Sequence, residues 1–250
     1  MTTFAHIAGI YAREARAQIV SSFRTPQFLI PSVALPVMFY ALFGVALARN
    51  EAPHMAQWLL ATYAVFAAIG PSIFGFGVYV ATERETGIIA LKRVSPMPQG
   101  AYVAAKLAAS VAASVLALTG IAIVAASAGV TMPAWRWAAV FALGAASTAP
   151  FALIGMNLGL RLGSQGATAA ANFLFMSFSV LGGLWIPLTI LPGWMTTLAW
   201  ALPSYHLGQL SLMLAGMTPA HDVLAHVVLV LAVLAVAAAG AWRGWRRQGA

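Results

Sequence analysis

Charged residues are scarce in this chain, and they are confined to narrow gaps between long uncharged stretches. Those stretches cover residues 27–48, 52–82, 107–135, 137–160, 162–221 and 223–242. A helix needs about 20 apolar residues to cross a hydrocarbon core of about 30 Å, so each stretch is long enough to span a bilayer. With 62% hydrophobic and 7% charged residues, the chain is excluded as an ordinary soluble domain, which would carry roughly 25% charged residues.

The gaps alternate in basicity. Arg13, Arg16 and Arg24 precede the first stretch and Arg49 follows it; Arg84, Lys92, Arg93 and Lys106 follow the second; then come Arg136, Arg161 and the trio Arg243, Arg246 and Arg247. Alternate gaps taken together place eleven of the thirteen basic residues on one side of a membrane and two on the other. Lys and Arg are retained on the cytoplasmic side, so both termini are expected there. The net charge of +8 is thus a topology signal, since the basic residues form no stripe that would serve nucleic acid. The chain has no cysteine, which excludes a disulfide framework and a thiolate metal site. Arg13, Glu14, Arg16 and Arg24 interrupt the region where a cleavable signal peptide would have its apolar core, so the first span is expected to stay in place.

The stretch 162–221 holds more than one crossing's worth of residues. Arg161 and the C-terminal arginine trio are both expected in the cytoplasm, so an even number of crossings separates them. The expected fold is all-α and polytopic, one transmembrane domain with six spans at 27–48, 56–81, 106–130, 137–160, 166–186 and 223–242. An apolar segment from 187 to 222 must then leave and return on the outer side. Irregular backbone at membrane depth is tolerated only where protein buries it, so a re-entrant or interfacial helical hairpin is expected, its re-entrant part at 187–207. Trp185, Trp194, Trp200 and Tyr205 would anchor it at headgroup level; a loop lying flat on the bilayer is the alternative. Before the first span, residues 1–26 read as an amphipathic interfacial helix, with Phe4, Ile7, Tyr11 and Ala15 on one face and His6, Arg13 and Arg24 on another. A basic tail that sets topology would look the same.

Several kinds of chemistry have no residues to carry them. All five carboxylates, Glu14, Glu51, Glu83, Glu85 and Asp222, fall outside the expected spans, whereas ion-coupled carriers place such groups inside theirs. His226 is read as an interfacial histidine near the outer end of the last span, and its spacing from His221 does not put two metal ligands on one helical face. No Gly-x-Ser-x-Gly nucleophile motif and no phosphate-binding Gly-x-x-x-x-Gly-Lys-Ser/Thr loop occurs. Neither catalytic residues nor residues that bind a cofactor or metal are therefore assigned. If a solute moves uphill, the energy must come from another polypeptide.

The gap between the second and third spans is where it could arrive. Residues 83–94 mix charge with a few apolar side chains, and Ser95-Pro96-Met97-Pro98 ends them, because proline disfavours helix in the residue before it. A helix of one or two turns across the membrane plane is expected; taken alone, the segment is either a solvated connector or a docking site.

Over essentially its whole length the chain resembles the membrane subunits of type-2 ABC exporters, the permease family that includes drug-resistance and nodulation-factor export proteins. The stretch 83–98 is similar to that family's Glu-x-Gly-x-x-x-x-Leu/Lys-x-x-x-x-Pro loop, with Glu85, Gly87, Leu91, Lys92 and Pro96 in the matching places. Gly182-Gly183-Leu184-Trp185-Ile186-Pro187, Leu191-Pro192-Gly193-Trp194 and Leu202-Pro203-Ser204-Tyr205-His206 are similar to its Gly-x-x-x-Pro, Leu-Pro-x-Trp and Pro-x-x-Tyr series. The basic N-terminal segment resembles its connecting helix. Ile88 and Ile89 depart from the pattern, since many relatives carry Thr or a second acidic residue there.

What the resemblance implies is a permease that is not an enzyme by itself. It would form half of an export pathway for a hydrophobic or amphipathic solute in the bacterial cytoplasmic (inner) membrane, paired with a second permease copy or paralogue and surrounded by membrane lipid. ATP and Mg would sit on a separate ABC ATPase subunit. Coupling to that subunit would involve Glu83, Arg84, Glu85, Gly87, Leu91, Lys92, Arg93 and Pro96. An outer re-entrant gate would involve Gly183, Pro187, Leu191, Pro192, Trp194, Pro203, Tyr205 and His206. The rival is a passive channel or lipid scramblase with no ATPase partner; a membrane-anchored assembly factor is a third reading. In intact cells, tags fused to either terminus should resist a membrane-impermeant label that modifies a tag inserted at Pro133; labelling of the C-terminal tag would overturn the topology.

Overall fold

In the computed structural model, which describes residues 4–46, 52–95 and 97–247, the uncharged stretches are almost entirely helical and no strand occurs among the described residues. Helix α1 (Phe4–Phe23) precedes a first membrane segment in which α2 (Pro26–Leu29) and α3 (Leu35–Phe39) alternate with π-helical turns at Ile30–Ala34 and Tyr40–Ala46. Then follow α4 (Ala52–Phe76), α5 (Val78–Glu85), α6 (Ile88–Val94), α7 (Gln99–Ser127), α8 (Ala134–Ala146) and α9 (Thr148–Arg161). After α10 (Ser164–Val180) come a 3-10 turn at Leu188–Ile190, α11 (Gly193–Ala199), α12 (Pro203–Ala215) and α13 (Val223–Arg247).

By length and composition five stretches could cross a membrane: Pro26–Ala46, His54–Glu85, Gly100–Ser127, Ala134–Arg161 and Val223–Arg247. Helix α10, where a further crossing is expected, has 17 residues, at the short end of what a crossing needs. It stops at Val180 and not at 186, because Gly182 and Gly183 turn the chain; Gly183 sits at φ +68°, a left-handed conformation that side chains disfavour. Residues 47 and 48 of the first expected span lie outside the described residues.

Helix α4 is apolar all round, which suits a helix with neighbours on every side. Its residues Leu60, Ala61, Tyr63, Val65, Ala67, Ala68 and Ile69 are fully buried, whereas α13 lies at the periphery with most of its side chains exposed. Close approach comes from glycine. A Cβ added at Gly144 would lie 2.9 Å from the Ala64 carbonyl, one at Gly155 3.0 Å from those of Ser72 and Ile73, and one at Gly159 2.5 Å from that of Phe76. Small residues of this kind let membrane helices bring their backbones together.

The same contacts fix relative direction. Positions 144, 155 and 159 advance along α4 together with 64, 73 and 76, so α8 and α9 run parallel to α4. Asn157 meets Ala237 and Arg161 meets Gly240, so α13 is parallel to α9. Antiparallel to α4 run the first membrane segment, through Phe28 with Tyr79 and Phe39 with Phe66; α7, through Ser110 with Pro71 and Ser114 with Ala67; and α10, through Ser164 with Glu85 and Phe175 with Phe66. Arg24, Arg84, Lys92, Lys106, Arg161 and the arginines of α13 thereby gather at one end of the bundle. Arg136 lies at the other, where its Nη1–H donates to the Ala215 carbonyl.

Pro71 lies inside α4 and has no N–H for the carbonyl of Ala67. Ser114 of α7 supplies the missing donor, its hydroxyl lying 3.2 Å from that carbonyl, while Ser110 donates to the carbonyl of Pro71 itself at 3.0 Å. At the break between α8 and α9, which precedes Pro150, the hydroxyls of Ser147 and Thr148 donate to Leu143 and Ala145. Replacing Ser114 with Ala should cost about 1 kcal/mol, within the range of interhelical hydrogen bonds in membranes, read as a lower thermal midpoint in detergent. In a Pro71→Ala background, where a restored N–H occupies the same carbonyl, the loss should largely vanish.

Candidate functional site

At the basic end of the bundle α5 turns into α6 through Thr86 and Gly87. Gly87 has φ +78° and nothing within 4 Å of where a Cβ would stand, so its backbone conformation, and not crowding, is what favours glycine. The Thr86 hydroxyl donates to the Thr82 carbonyl and closes α5. At the far end of α6 the Ser95 hydroxyl donates to the Lys92 carbonyl, 2.8 Å away.

The charged side chains of this elbow turn inward, onto the membrane helices. Glu83 accepts hydrogen bonds from Tyr102 Oη at 2.6 Å and from Lys106 Nζ at 2.9 Å, both on α7. The Lys106 side chain is only 3% exposed. Lys106, expected at a span boundary, is thus enclosed within the helical bundle, where its carboxylate partner offsets the cost of an ammonium away from water. Arg84 donates through Nη1 to the Leu160 carbonyl and through Nη2 to the Leu162 carbonyl at 2.7 Å, occupying acceptors that the C-terminus of α9 leaves open. Glu85 accepts the backbone N–H of Ser164 at 2.9 Å, at the N-terminus of α10, where the helix dipole favours a negative charge.

Helix α6 is strapped from a further side by an ion pair between Lys92 and Glu14 of α1. Lys92 and Lys106 each lie 5.3 Å from the centre of the Tyr102 ring, which also stacks on Trp245 of α13. Ile89 is buried with Phe76, Val80 and Tyr102. On the other side Ile88, Leu91 and Val94, spaced three residues apart, are 43%, 71% and 82% exposed. The elbow therefore holds its charges against its own membrane helices and presents an apolar ridge outward.

Among the residues expected to contact an ATPase, Glu83, Arg84, Glu85 and Lys92 are engaged within the chain, and Leu91 alone among the side chains expected there stands on the exposed ridge. Pro96 and the side chain of Arg93 lie outside the described residues. Ile88 and Val94, which share the ridge, are not among those expected contacts. Their signal was the three-residue spacing with Leu91, which a helix of seven residues is too short to display as a periodicity. Helix α1 packs along α7; its half-buried face mixes Ile10, Tyr11, Ala15, Ile19 and Phe23 with Glu14, Gln18 and Ser22, and Ile7 is 37% exposed.

The expected outer residues divide into two groups. Trp185 is not a headgroup anchor: its ring packs against Phe39, Phe66 and Phe175 in the core. Gly183 and Pro187 frame the turn after α10, Leu191 ends the 3-10 turn, Pro192 caps α11, and Trp194 and Trp200 are 58% and 44% exposed. Pro203 opens α12, whose Ser211 hydroxyl donates to Ala61 of α4 at 2.6 Å. A Cβ at Gly182 would collide with Ser204, so the end of α10 sits directly on the start of α12.

His226 is not an interfacial histidine of the ordinary kind. It is 4% exposed and meets His206, which is 1% exposed, with their Nδ1 atoms 2.7 Å apart. His206 Nε2–H donates to the Trp200 carbonyl, which can only accept, so His206 Nδ1 is an acceptor and His226 supplies the proton between the rings. The pair rivets α12 to α13, with Trp200 and Tyr205 packed around it.

Residues 14–214, from the ion-paired Glu14 through the elbow and α10 to the end of α12, match the family described as ABC-2 type transporter. The chain belongs to that family. It is also 27% identical over 206 residues to a protein of Bacillus subtilis (strain 168) named "Putative transport permease YvfS", covering 80% of this chain and 83% of that one. As an ABC-2 type transporter the chain is an integral membrane protein, the permease component of a transport system whose family works with an ABC ATPase. In this permease the Glu83–Lys106 pair should carry the elbow's attachment to α7. Glu83→Gln should lower stability by about 3 kcal/mol or more, because it leaves a buried ammonium without its counter-charge. Pairing Glu83→Leu with Lys106→Met should recover most of that loss in a thermal-unfolding assay.

Proposed function

We propose that this permease crosses the membrane six times, with both termini in the cytoplasm, and forms half of an exporter whose ATPase subunits are separate chains. The observation that carries the reading is the exposed ridge of Ile88, Leu91 and Val94 on a short helix at an elbow whose two arms are braced by α1, α7, α9 and α10. Large apolar side chains presented together beyond the membrane helices mark a surface that a partner protein covers. An ATPase groove receiving this ridge would push on Glu83, Arg84, Glu85 and Lys92, and through them on four different helices. Gly87 holds the angle at which the push arrives.

Helix α10 supports a second permease copy. Gln165, Thr168 and Asn172 lie exposed along one of its faces, beside Phe173 and Met176. The Thr168 hydroxyl and one Asn172 amide hydrogen are used on carbonyls of α10 itself, those of Ser164 and Thr168; the Asn172 side-chain carbonyl and its second amide hydrogen would be better served by a facing copy or a hydrated solute path than by lipid. The cargo is hydrophobic or amphipathic, exported from the bacterial inner membrane, with α11 and α12 closing the outer exit as a re-entrant or interfacial hairpin.

With its ATPase co-expressed, a Gly87→Pro variant should reach the membrane at the normal level yet show at least a tenfold loss of transport and of cargo-stimulated hydrolysis, since proline cannot adopt the φ of this elbow. A Leu91→Asp, Val94→Asp variant should no longer copurify with the ATPase. Normal transport by Gly87→Pro would overturn the coupling role.

A further inference from the structure

We propose that the groove between α9 and α13 binds one anionic phospholipid, its acyl chain along the apolar walls and its phosphate against Arg161 and Arg243. The groove has a volume of about 580 Å³, with Ile154 and Leu158 on one wall and Val233 and Val236 on the other. It runs along α13 from Ala232 to Arg243, which is about 16 Å at the helical rise and half of a hydrocarbon core of about 30 Å, the depth of one leaflet. The site needs only that α9 and α13 emerge together at one membrane surface, whichever that is.

The floor is built for close contact. Asn157 donates through Nδ2 to the carbonyls of Leu153 and Ala237, at 2.8 and 2.7 Å, which uses both of its amide hydrogens. Gly240 leaves room for this arrangement, since a Cβ there would stand 2.4 Å from Asn157 Oδ1. Polarity then rises towards the basic end, where Arg161 and Arg243 both line the groove. Arg161 is held over it by an Nη2–H bond to the Gly240 carbonyl at 3.1 Å. One such bond leaves most of the guanidinium's five donors available.

Three features favour a phosphate at this end. Among the described residues no carboxylate pairs with Arg161 or Arg243. The negative end of the α9 dipole, which would repel an anion, is countered by Arg84 on the carbonyls of Leu160 and Leu162. Trp242, 59% exposed beside Arg243, marks headgroup depth in the manner of interfacial aromatics, and Arg246 is stacked on that ring at 4.8 Å instead of facing the groove. Apolar walls ending in paired arginines between membrane helices match an anionic lipid in both shape and charge.

Native mass spectrometry of the purified permease, in mild detergent with its ATPase where the complex holds, tests this directly. Equal amounts of phosphatidylglycerol and phosphatidylcholine are added to wild type and variants. Wild type should retain phosphatidylglycerol at least fivefold over phosphatidylcholine, and the preference should disappear in Arg161→Gln, Arg243→Gln. Val236→Trp, which fills the groove without changing charge, should also reduce retention, while Arg246→Gln and Arg24→Gln should keep it. Undiminished preference in the double variant would overturn the site, as would equal loss in Arg246→Gln. Suppression of lipid retention by millimolar inorganic phosphate to the same degree as by Val236→Trp would assign the arginines to a bare anion and also overturn it.

Discussion

A bilayer interior offers no hydrogen-bond partner, and that constraint accounts for most of what is built around α4. The helix contains a proline yet is enclosed on all sides, so the carbonyl that Pro71 strands must find a donor on a neighbour, and Ser114 provides it. Because α7 is tied there, and because Gly144, Gly155 and Gly159 press α8 and α9 onto α4, the remaining helices have few ways left to pack. The small side chains at these contacts are more than filler. They let carbonyl-lined backbone surfaces meet where larger residues would leave gaps that lipid cannot satisfy.

The basic end is arranged inversely to a soluble protein's surface. There the charged side chains of a loop normally face water and the apolar ones pack inward. Here Glu83, Arg84, Glu85 and Lys92 face the helices of their own chain, each meeting a complementary partner: a buried ammonium, open carbonyls, a helix N-terminus and a carboxylate on α1. Apart from the buried Ile89, the large apolar residues of α6 are left outside. Attachment on one side and an exposed apolar ridge on the other are what the proposed coupling role would require, and both come from the same dozen residues.

At the opposite end the attachment is made by rings. His226 donates a hydrogen bond to His206, Trp200 and Tyr205 surround the pair, and α12 is thereby fixed to α13, as Ser211 fixes it to α4. A histidine near the end of an apolar helix is ordinarily explained by nearby water. Here its partner lies twenty residues earlier in the chain, on an element whose placement no local pattern specifies.

The order of amino acids alone determined that the chain is helical and membrane-embedded, roughly where its membrane helices fall, and which residues bear the family's likeness. These follow from run length and charge placement, properties that a bilayer reads locally. The stretch Glu83 to Gly87 was legible as resembling the family's loop, but the direction each side chain faces was not, since the partners of Glu83, Arg84 and Glu85 lie 19 to 79 residues away in the chain. The exposed ridge of α6, the burial of Lys106, the core position of Trp185 and the joined histidines were decided only when helices distant in sequence were packed together. The physical reason is that hydrophobicity places a segment in the membrane without choosing its neighbours. Glycine contacts, stranded carbonyls and buried charges make that choice, and they act across space.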